Sequence, residues 1–417
     1  MISISNLKIM LWNNKIVIEN YFFMTVLQVL NSMFYLLIYP FLIRVLGADS
    51  YGTYIFSMSI VTYFLFLVGF GFDMPAVKII SQNQNNLKIK SHTLSCVFTA
   101  KIYLELFSLV VFSLVVFSIP FLRHNWTLMF ICFFQTIINI IFPQWYFQGV
   151  QRMRIVTYIQ LGFKVLSLPF IFFMIHSPKD VELFAFFTTS AGVFGAILAA
   201  FVVKFYEKTT IKWMSLSEIN QWYKEAFPFF LSTSAGIIKE QSITIIIGAF
   251  FGMKDVALYD LANKIIIVPR TLLISVNGAL FPKIMADFRI NIVKKIIRYQ
   301  TLIGLAIILA IVLLGKWVVL IMGGVTMYDS YPIAMVLSIT VLTWIVVGSY
   351  ISFVFVPKDR YYLVTKNQFV ALISFFVYCG VGLFFVRNAF VLATALSLSG
   401  LTEIAFCKYL IYKEDLL

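Results

Sequence analysis

Long, predominantly apolar runs constrain this chain more than any other feature. Residues 21–43, 51–72, 102–122 and 301–322 are each long enough to cross a bilayer, which takes about 20 apolar residues in a helix. Only 12% of the 417 residues are charged, compared with about 25% in an average soluble domain. The runs therefore predict an all-α polytopic membrane protein and exclude an ordinary soluble fold.

Turn-forming residues between the runs divide the chain into about twelve helices. Gly47, Pro120, Gly149, Gly252 and Pro357 all fall at breaks. The predicted spans leave no room for a separate catalytic domain. They are residues 18–43, 51–73, 91–118, 125–148, 154–176, 180–204, 222–251, 254–282, 297–322, 330–356, 362–386 and 389–412.

Basic residues alternate between the two sides of this topology. If the N-terminus is cytoplasmic, most of the 32 Lys and Arg residues fall in the terminal segments and the even-numbered loops. Lys and Arg concentrate in the cytoplasmic loops of membrane proteins. The distribution predicts two cytoplasmic termini and explains most of the +14 net charge without a nucleic-acid partner. The odd-numbered loops hold only Arg44, Arg123, Lys179, Lys254, Lys316 and Arg387.

A weak internal repeat suggests two halves. Residues 205–221 form the longest polar connector and separate residues 1–204, with helices 1–6, from residues 222–417, with helices 7–12. GADSYGTY at Gly47–Tyr54 and GMKDVALY at Gly252–Tyr259 share a Gly-x6-Tyr spacing at the first turn of each half. Repeats of six spans are typical of transporters. We therefore expect two six-helix lobes around a central cavity, joined by a cytoplasmic linker.

Basic residues inside the predicted spans are the substrate-binding candidates. Charge at membrane depth is costly, so such side chains tend to face a cavity or a partner. Arg270 is the strongest candidate, because no acid lies within a helical turn and its planar fork suits phosphate. The full set is Arg270, Lys264, Lys239, Lys101 and Lys164. The acids that could pair with these bases or couple transport to an ion are Glu105, Asp260, Glu240 and Asp73.

Local charge pairing is the competing interpretation for some of these bases. Lys101 with Glu105, and Asp260 with Lys264, are spaced i, i+4 and can neutralise one another on one helix face. Lys239 and Glu240 are adjacent and point to different faces.

Two bases have no such local acid and tip the balance towards positive charge. Lys164 either faces the cavity or extends towards the interface. Together with Arg270, it makes the interior net positive, which favours an anionic substrate.

No pattern in the sequence indicates catalysis. Cys96, Cys132, Cys379 and Cys407 all lie in hydrophobic stretches without metal-ligand or disulfide spacing. We therefore predict no catalytic residues, no metal and no cofactor.

One segment carries a family resemblance. Tyr39–Ser81 reads YPFLIRVLGADSYGTYIFSMSIVTYFLFLVGFGFDMPAVKIIS and resembles the Wzx-type O-antigen flippases of bacterial inner membranes. The second half is similar around Pro228, Tyr259 and the segment from Asn277 to Lys283 that contains Pro282. The matching positions of the first segment are Pro40, Arg44, Leu46, Gly47, Tyr51, Gly52, Tyr54, Gly71, Phe72 and Lys78.

The resemblance implies the multidrug/oligosaccharidyl-lipid/polysaccharide exporter fold, with two six-helix lobes forming a V around a central cavity. It also implies that the chain flips undecaprenyl-diphosphate-linked oligosaccharide to the periplasmic leaflet and has a basic lumen for the diphosphate. A polysaccharide polymerase and a chain-length regulator are candidate partners beside the bilayer. No strict set of substrate residues carries over from the family.

Two other functions remain open at this stage. A transporter of the same fold can expel small cationic drugs, although a basic cavity argues against that. A membrane polysaccharide polymerase, ligase or acyltransferase is expected to have a long periplasmic loop or a catalytic cluster, and the odd-numbered loops here are short.

Overall fold

The computed structural model describes residues 15–286 and 289–416, and every regular element in those ranges is a helix. Side chains are described there except at positions 15–18, 21, 274–276, 278–279, 281–283 and 285–286. The side chains of Pro282 and Lys283, which belong to the family resemblance, therefore lie outside the described residues.

Long helices alternate with short ones before the polar connector. A 3₁₀ turn (Pro178–Asp180) precedes α9, and a π-helical turn (Val202–Tyr206) follows it. The helices are α1 (Lys15–Gly69), α2 (Asp73–Gln82), α3 (Leu87–Ser118), α4 (Pro120–His124), α5 (Trp126–Phe133), α6 (Gln135–Ile141), α7 (Gln144–Gly149), α8 (Met153–Met174) and α9 (Val181–Phe201).

The helices after the connector are longer on average. A 3₁₀ turn (Val325–Met327) precedes α13, and a π-helical turn (Ile351–Phe355) follows it. The helices are α10 (Leu216–Phe250), α11 (Met253–Ala286), α12 (Ile290–Gly323), α13 (Ser330–Tyr350), α14 (Tyr361–Phe385) and α15 (Phe390–Lys413).

The helices confirm a polytopic membrane protein. In the described ranges, nine helices are long and apolar enough to span a membrane. The first of these contains two predicted spans, because α1 is broken at Gly47, where φ is 75°. The predicted seventh and eighth spans are α10 and α11, the helices that carry Lys239, Glu240, Asp260 and Arg270.

Two predicted spans differ from the structure for identifiable reasons. The predicted helix 125–148 is divided into α5, α6 and α7, and the second break lies at Pro143, which has no N–H to donate. The predicted helix 51–73 ends earlier, because Phe70 and Gly71 have φ values of 44° and 73°. The short helix α2 after this turn was missed by the sequence analysis.

The chain forms two compact units. Unit 1 contains the described residues 15–31 and 60–231, and unit 2 contains Ser32–Ser59 and residues 232–416. Both α1 and α10 therefore contribute to both units. The predicted lobe boundaries at residues 204 and 222 stay a prediction, and the structure groups 32–59 with the second half of the sequence.

Each unit has its own apolar core. Phe72, Tyr146 and Phe147 are fully buried in the core of unit 1. Phe353 and Phe355 are fully buried in the core of unit 2.

Glycines allow the two repeated turns of unit 2 to pack closely. Gly47 and Gly252, the first residues of the two repeated segments, both have positive φ, of 75° and 110°, immediately before a helix resumes. Gly52 lies against the start of α11, where a Cβ would stand 1.9 Å from the carbonyl oxygen of Met253. A side chain at residue 52 would therefore force the two backbones apart.

Replacing Gly52 with alanine should destabilise the protein, because backbone atoms cannot move aside as a flexible side chain can. Overpacking of this kind costs about 1–3 kcal/mol. We expect a lower thermal unfolding midpoint for detergent-purified Gly52→Ala. The matched control is Gly162→Ala on α8, where a Cβ meets nothing within 4 Å. Equal midpoints for the two variants would contradict the close packing at Gly52.

Candidate functional site

The adjacent charges on α10 bind two different helices. Lys239 Nζ lies 2.9 Å from Glu403 Oε1 on α15, and both side chains are about nine-tenths buried. Glu240 Oε1 accepts a hydrogen bond of 2.8 Å from Arg270 Nη2 on α11. Successive residues of a helix point about 100° apart, so Lys239 reaches α15 while Glu240 reaches α11. The two side chains therefore face different ways, as predicted.

Arg270 is paired rather than isolated. Its guanidinium carbon lies 3.1 Å from the centroid of the Trp344 ring on α13, and its carboxylate partner is Glu240. No acid lies within a helical turn of Arg270, as the sequence shows, and its partner comes instead from the preceding helix, 30 residues away. The pair is unequally exposed: 16% of the Arg270 side chain is accessible, compared with 43% of the Glu240 side chain.

Asp260 and Lys264 form the predicted i, i+4 pair. Lys264 Nζ lies 3.5 Å from Asp260 Oδ1 and 4.5 Å from the centroid of the Tyr35 ring. Tyr51 donates a 2.9 Å hydrogen bond to the other oxygen of Asp260. Tyr39 packs edge-on against the Tyr51 ring. Tyr51, the first tyrosine of the GADSYGTY segment, therefore holds a buried carboxylate in unit 2.

These pairs change the predicted charge of the interior. In unit 2, each candidate base has an acid within 4 Å, so the local charges cancel in the part of the chain that the structure describes. The predicted excess of isolated positive charge is therefore not found at these three bases.

Lys101 in unit 1 does not pair with Glu105 as the i, i+4 spacing suggested. Its ammonium group lies 3.4 Å from Asp73 Oδ1 and donates to Asn139, at 2.9 Å to Oδ1 and 3.3 Å to the backbone oxygen. In a regular helix, the N–H of residue 143 would bond that oxygen, but residue 143 is proline. The lysine satisfies a carbonyl that the helix break leaves without its usual donor.

Glu105 and Lys164 bind neutral partners. Thr136 donates a 2.6 Å hydrogen bond to Glu105 Oε1, and Glu105 Oε2 is buried with no hydrogen-bond partner among the described residues. Lys164 donates a 2.7 Å hydrogen bond to Asn31 Oδ1 on α1. Unit 1 therefore contains a buried carboxylate oxygen that remains available for a proton or another donor.

Sequence reasoning missed the neutral members of these networks. Trp344, Asn139 and Tyr51 were not singled out as site residues. Gln300 donates to Asn277 and accepts from Ser349, which links α11, α12 and α13 by a buried polar chain. An amide in an apolar helix was the available signal, because a buried amide needs a partner. In the described ranges, no group of three or more His, Cys, Asp and Glu residues is arranged to hold a metal ion.

Removing one member of a buried ion pair should cost more than removing both. Lys239→Met leaves Glu403 charged and buried, and losing one partner in such a pair typically costs about 3–5 kcal/mol. We expect a clear fall in the thermal unfolding midpoint of the purified protein, and a partial recovery in Lys239→Met combined with Glu403→Gln. Exposed Lys294→Met is the control. A double variant less stable than the single one would contradict the pairing.

The sequence of the chain matches a known protein family. The model of the family described as "Polysaccharide biosynthesis protein" matches residues 17–288. A protein of Escherichia coli (strain K12) named "Putative O-antigen transporter" is 25% identical over 325 residues, covering 76% of this chain and 78% of the relative. A Shigella dysenteriae protein of the same name is 25% identical over 306 residues, covering 70% and 74%.

Solved transporters share the fold at low sequence identity. The lipid II flippase MurJ in an inward closed conformation has a TM-score of 0.62 at 14% identity, over 94% of this chain and 86% of that one. An inward-facing multidrug resistance MATE family transporter of the MOP superfamily has a TM-score of 0.69 at 12% identity, over 93% and 98%. The fold is therefore the one seen in these transporters, and the chain belongs to the polysaccharide biosynthesis protein family.

Proposed function

We propose that this chain is a flippase for undecaprenyl-diphosphate-linked O-antigen or a related oligosaccharide repeat unit. It would move the unit from the cytoplasmic to the periplasmic leaflet of a bacterial inner membrane, with both termini in the cytoplasm. The family match, two relatives named as O-antigen transporters and a fold shared with a lipid II flippase support a transporter rather than an enzyme.

The Arg270–Glu240 pair is the observation that carries this proposal. A guanidinium fork can bind a phosphate through two parallel hydrogen bonds, which an ammonium cannot do. Glu240 is the more accessible partner, so an incoming diphosphate can take its place on the guanidinium. Exchanging one anion for another keeps the Arg270 guanidinium neutralised throughout. The carboxylate that leaves is the more accessible member of the pair.

Trp344 makes this arginine better suited to binding. Its ring lies against the guanidinium, and such a contact orients the fork while leaving its edges free for oxygen acceptors. The substrate's diphosphate would bind these edges, its glycan would enter the central cavity expected from the sequence, and its lipid tail would stay in the bilayer. Alternating access of the two lobes then completes the transfer.

The remaining predicted residues fit supporting roles in this proposal. Asp260, held by Tyr51 and Lys264, and Glu105, with one buried oxygen unbonded in the described structure, are candidates for the coupling proton or cation. Lys101 and Asp73 would maintain the helix break at Pro143. The polymerase and chain-length regulator stay proposed partners.

Variants of Arg270 test the site in a deletion strain. Arg270→Ala and Arg270→Glu should lower surface glycan by about tenfold or more, the equivalent of losing a charged hydrogen bond. Single repeat units should then accumulate on undecaprenyl diphosphate. The control is Arg387→Ala, at an exposed position between α14 and α15. Each variant's level in the membrane is measured by immunoblot. Normal surface glycan in a well-expressed Arg270→Glu strain would remove Arg270 from the substrate site.

Accessibility of the stalled lipid distinguishes a flippase from a polymerase. If the chain is a flippase, the accumulated units should be protected from a glycan-specific lectin in spheroplasts and exposed after permeabilisation. Labelling of intact spheroplasts would favour the polymerase. Unchanged glycan and lipid pools in the deletion strain, together with greater sensitivity to cationic drugs, would favour the small-molecule exporter.

A further inference from the structure

An apolar cavity of about 430 Å³ lies within unit 1. Its walls come from α3, the broken segment around Pro143, the C-terminal part of α9 and the polar connector. Phe98, Trp145 and Ala200 are among its apolar lining residues, and Lys204 and Thr210 provide polar groups. The volume is within the range of about 300–1,000 Å³ for small-ligand sites.

The connector wall of this cavity is fixed by hydrogen bonds. The backbone N–H of Thr210 donates to Ser91 Oγ at 3.2 Å, and that of Lys212 donates to Ser95 Oγ at 3.0 Å. Alternate residues of the connector thus bind hydroxyls one turn apart on α3. The segment predicted to be a linker is an ordered wall, so the cavity is formed before any ligand enters.

The cavity lies beside an apolar face of α9. Phe194, Ile197 and Phe201 on α9 and Phe205 in the following π-helical turn are 60%, 39%, 53% and 64% exposed, at near-helical spacing. Two of them, Ile197 and Phe201, also line the cavity. In a membrane protein, exposed apolar side chains of this kind contact lipid chains. The cavity therefore borders a surface from which a hydrocarbon chain can enter.

The cavity rim has an uncompensated positive charge. No carboxylate of the described residues forms an ion pair with Lys204, which is exposed. The nearby acid Glu207 is already engaged by Lys90, at 3.2 Å, and by Arg152. Lys208, also exposed, adds to the local charge. This rim suits an anionic head group.

We propose that this cavity binds one acyl chain of an anionic glycerophospholipid whose phosphate lies beside Lys204. The side that carries Lys204 and Lys208 is the predicted cytoplasmic side, where basic residues between membrane helices bind anionic lipid head groups. The bound lipid supports the connector and α3 and is distinct from the transported substrate. The inference does not depend on the proposed function.

Native mass spectrometry of the full-length protein tests the site. Delipidated protein is titrated with phosphatidylglycerol or phosphatidylcholine of identical chains. We expect one tightly held lipid and a preference of about fivefold for phosphatidylglycerol, the size of effect expected from one lysine at a membrane surface. Equal retention of the two lipids would overturn the proposed role of Lys204.

Variants separate the chain site from the head-group site. Ala200→Trp fills the cavity and should abolish the tight adduct, whereas Ala310→Trp on the exposed face of α12 should leave it intact. Lys204→Ala should keep the adduct and lose the head-group preference, and exposed Lys294→Ala should keep both. Equal adducts in Ala200→Trp and Ala310→Trp would contradict the proposal.

Fluorescence quenching tests the same acyl-chain site if Ala200→Trp fails to fold. Phosphatidylglycerol with brominated chains should quench the fluorescence of Trp145 in the otherwise unchanged protein. If this part of the quenching is absent in Trp145→Phe, it is assigned to Trp145. No Trp145-dependent quenching would contradict the acyl-chain site. Displacement of the brominated lipid by equimolar undecaprenyl phosphate, but not by unlabelled phosphatidylglycerol, would assign the cavity to a polyprenyl lipid and overturn the proposal.

Discussion

The cost of an unsatisfied polar group in hydrocarbon governs this structure. A membrane-spanning helix avoids this cost because its backbone N–H and C=O groups bond one another. A charged side chain avoids it only by pairing with another group. Lys239, Lys264 and Arg270 each lie within 4 Å of a carboxylate, and Lys101 binds both an acid and a carbonyl. The three candidate bases of unit 2 are thus members of neutral pairs.

The same constraint explains why a broken helix is tolerated in unit 1. Pro143 removes one backbone donor, and the ammonium of Lys101 takes its place at the oxygen of Asn139. The Asn139 side chain also accepts from Lys101. Lys101 thus stabilises the helix break from a neighbouring helix, and its role in substrate binding stays a prediction.

Local features of the sequence predicted much of the fold. The spans followed from apolar runs, the breaks at Gly47 and Gly252 from glycine, and the Asp260–Lys264 pair from helical spacing. Partners from different helices were not predictable in this way. Glu403 lies 164 residues from Lys239, and nothing local indicates that α15 packs beside α10. Lys101 binds Asp73 rather than Glu105 because α2 begins beside it after a turn that the apolar pattern does not reveal.

We propose that a phosphate-bearing substrate displaces Glu240 from Arg270. The most direct test is the affinity of purified protein for undecaprenyl-diphosphate-linked oligosaccharide in detergent, compared among wild type, Glu240→Gln and Arg270→Ala. We expect tighter binding by Glu240→Gln, because the competing carboxylate loses its charge, and weaker binding by Arg270→Ala. Unchanged affinity in both variants, or weaker binding by Glu240→Gln, would contradict it.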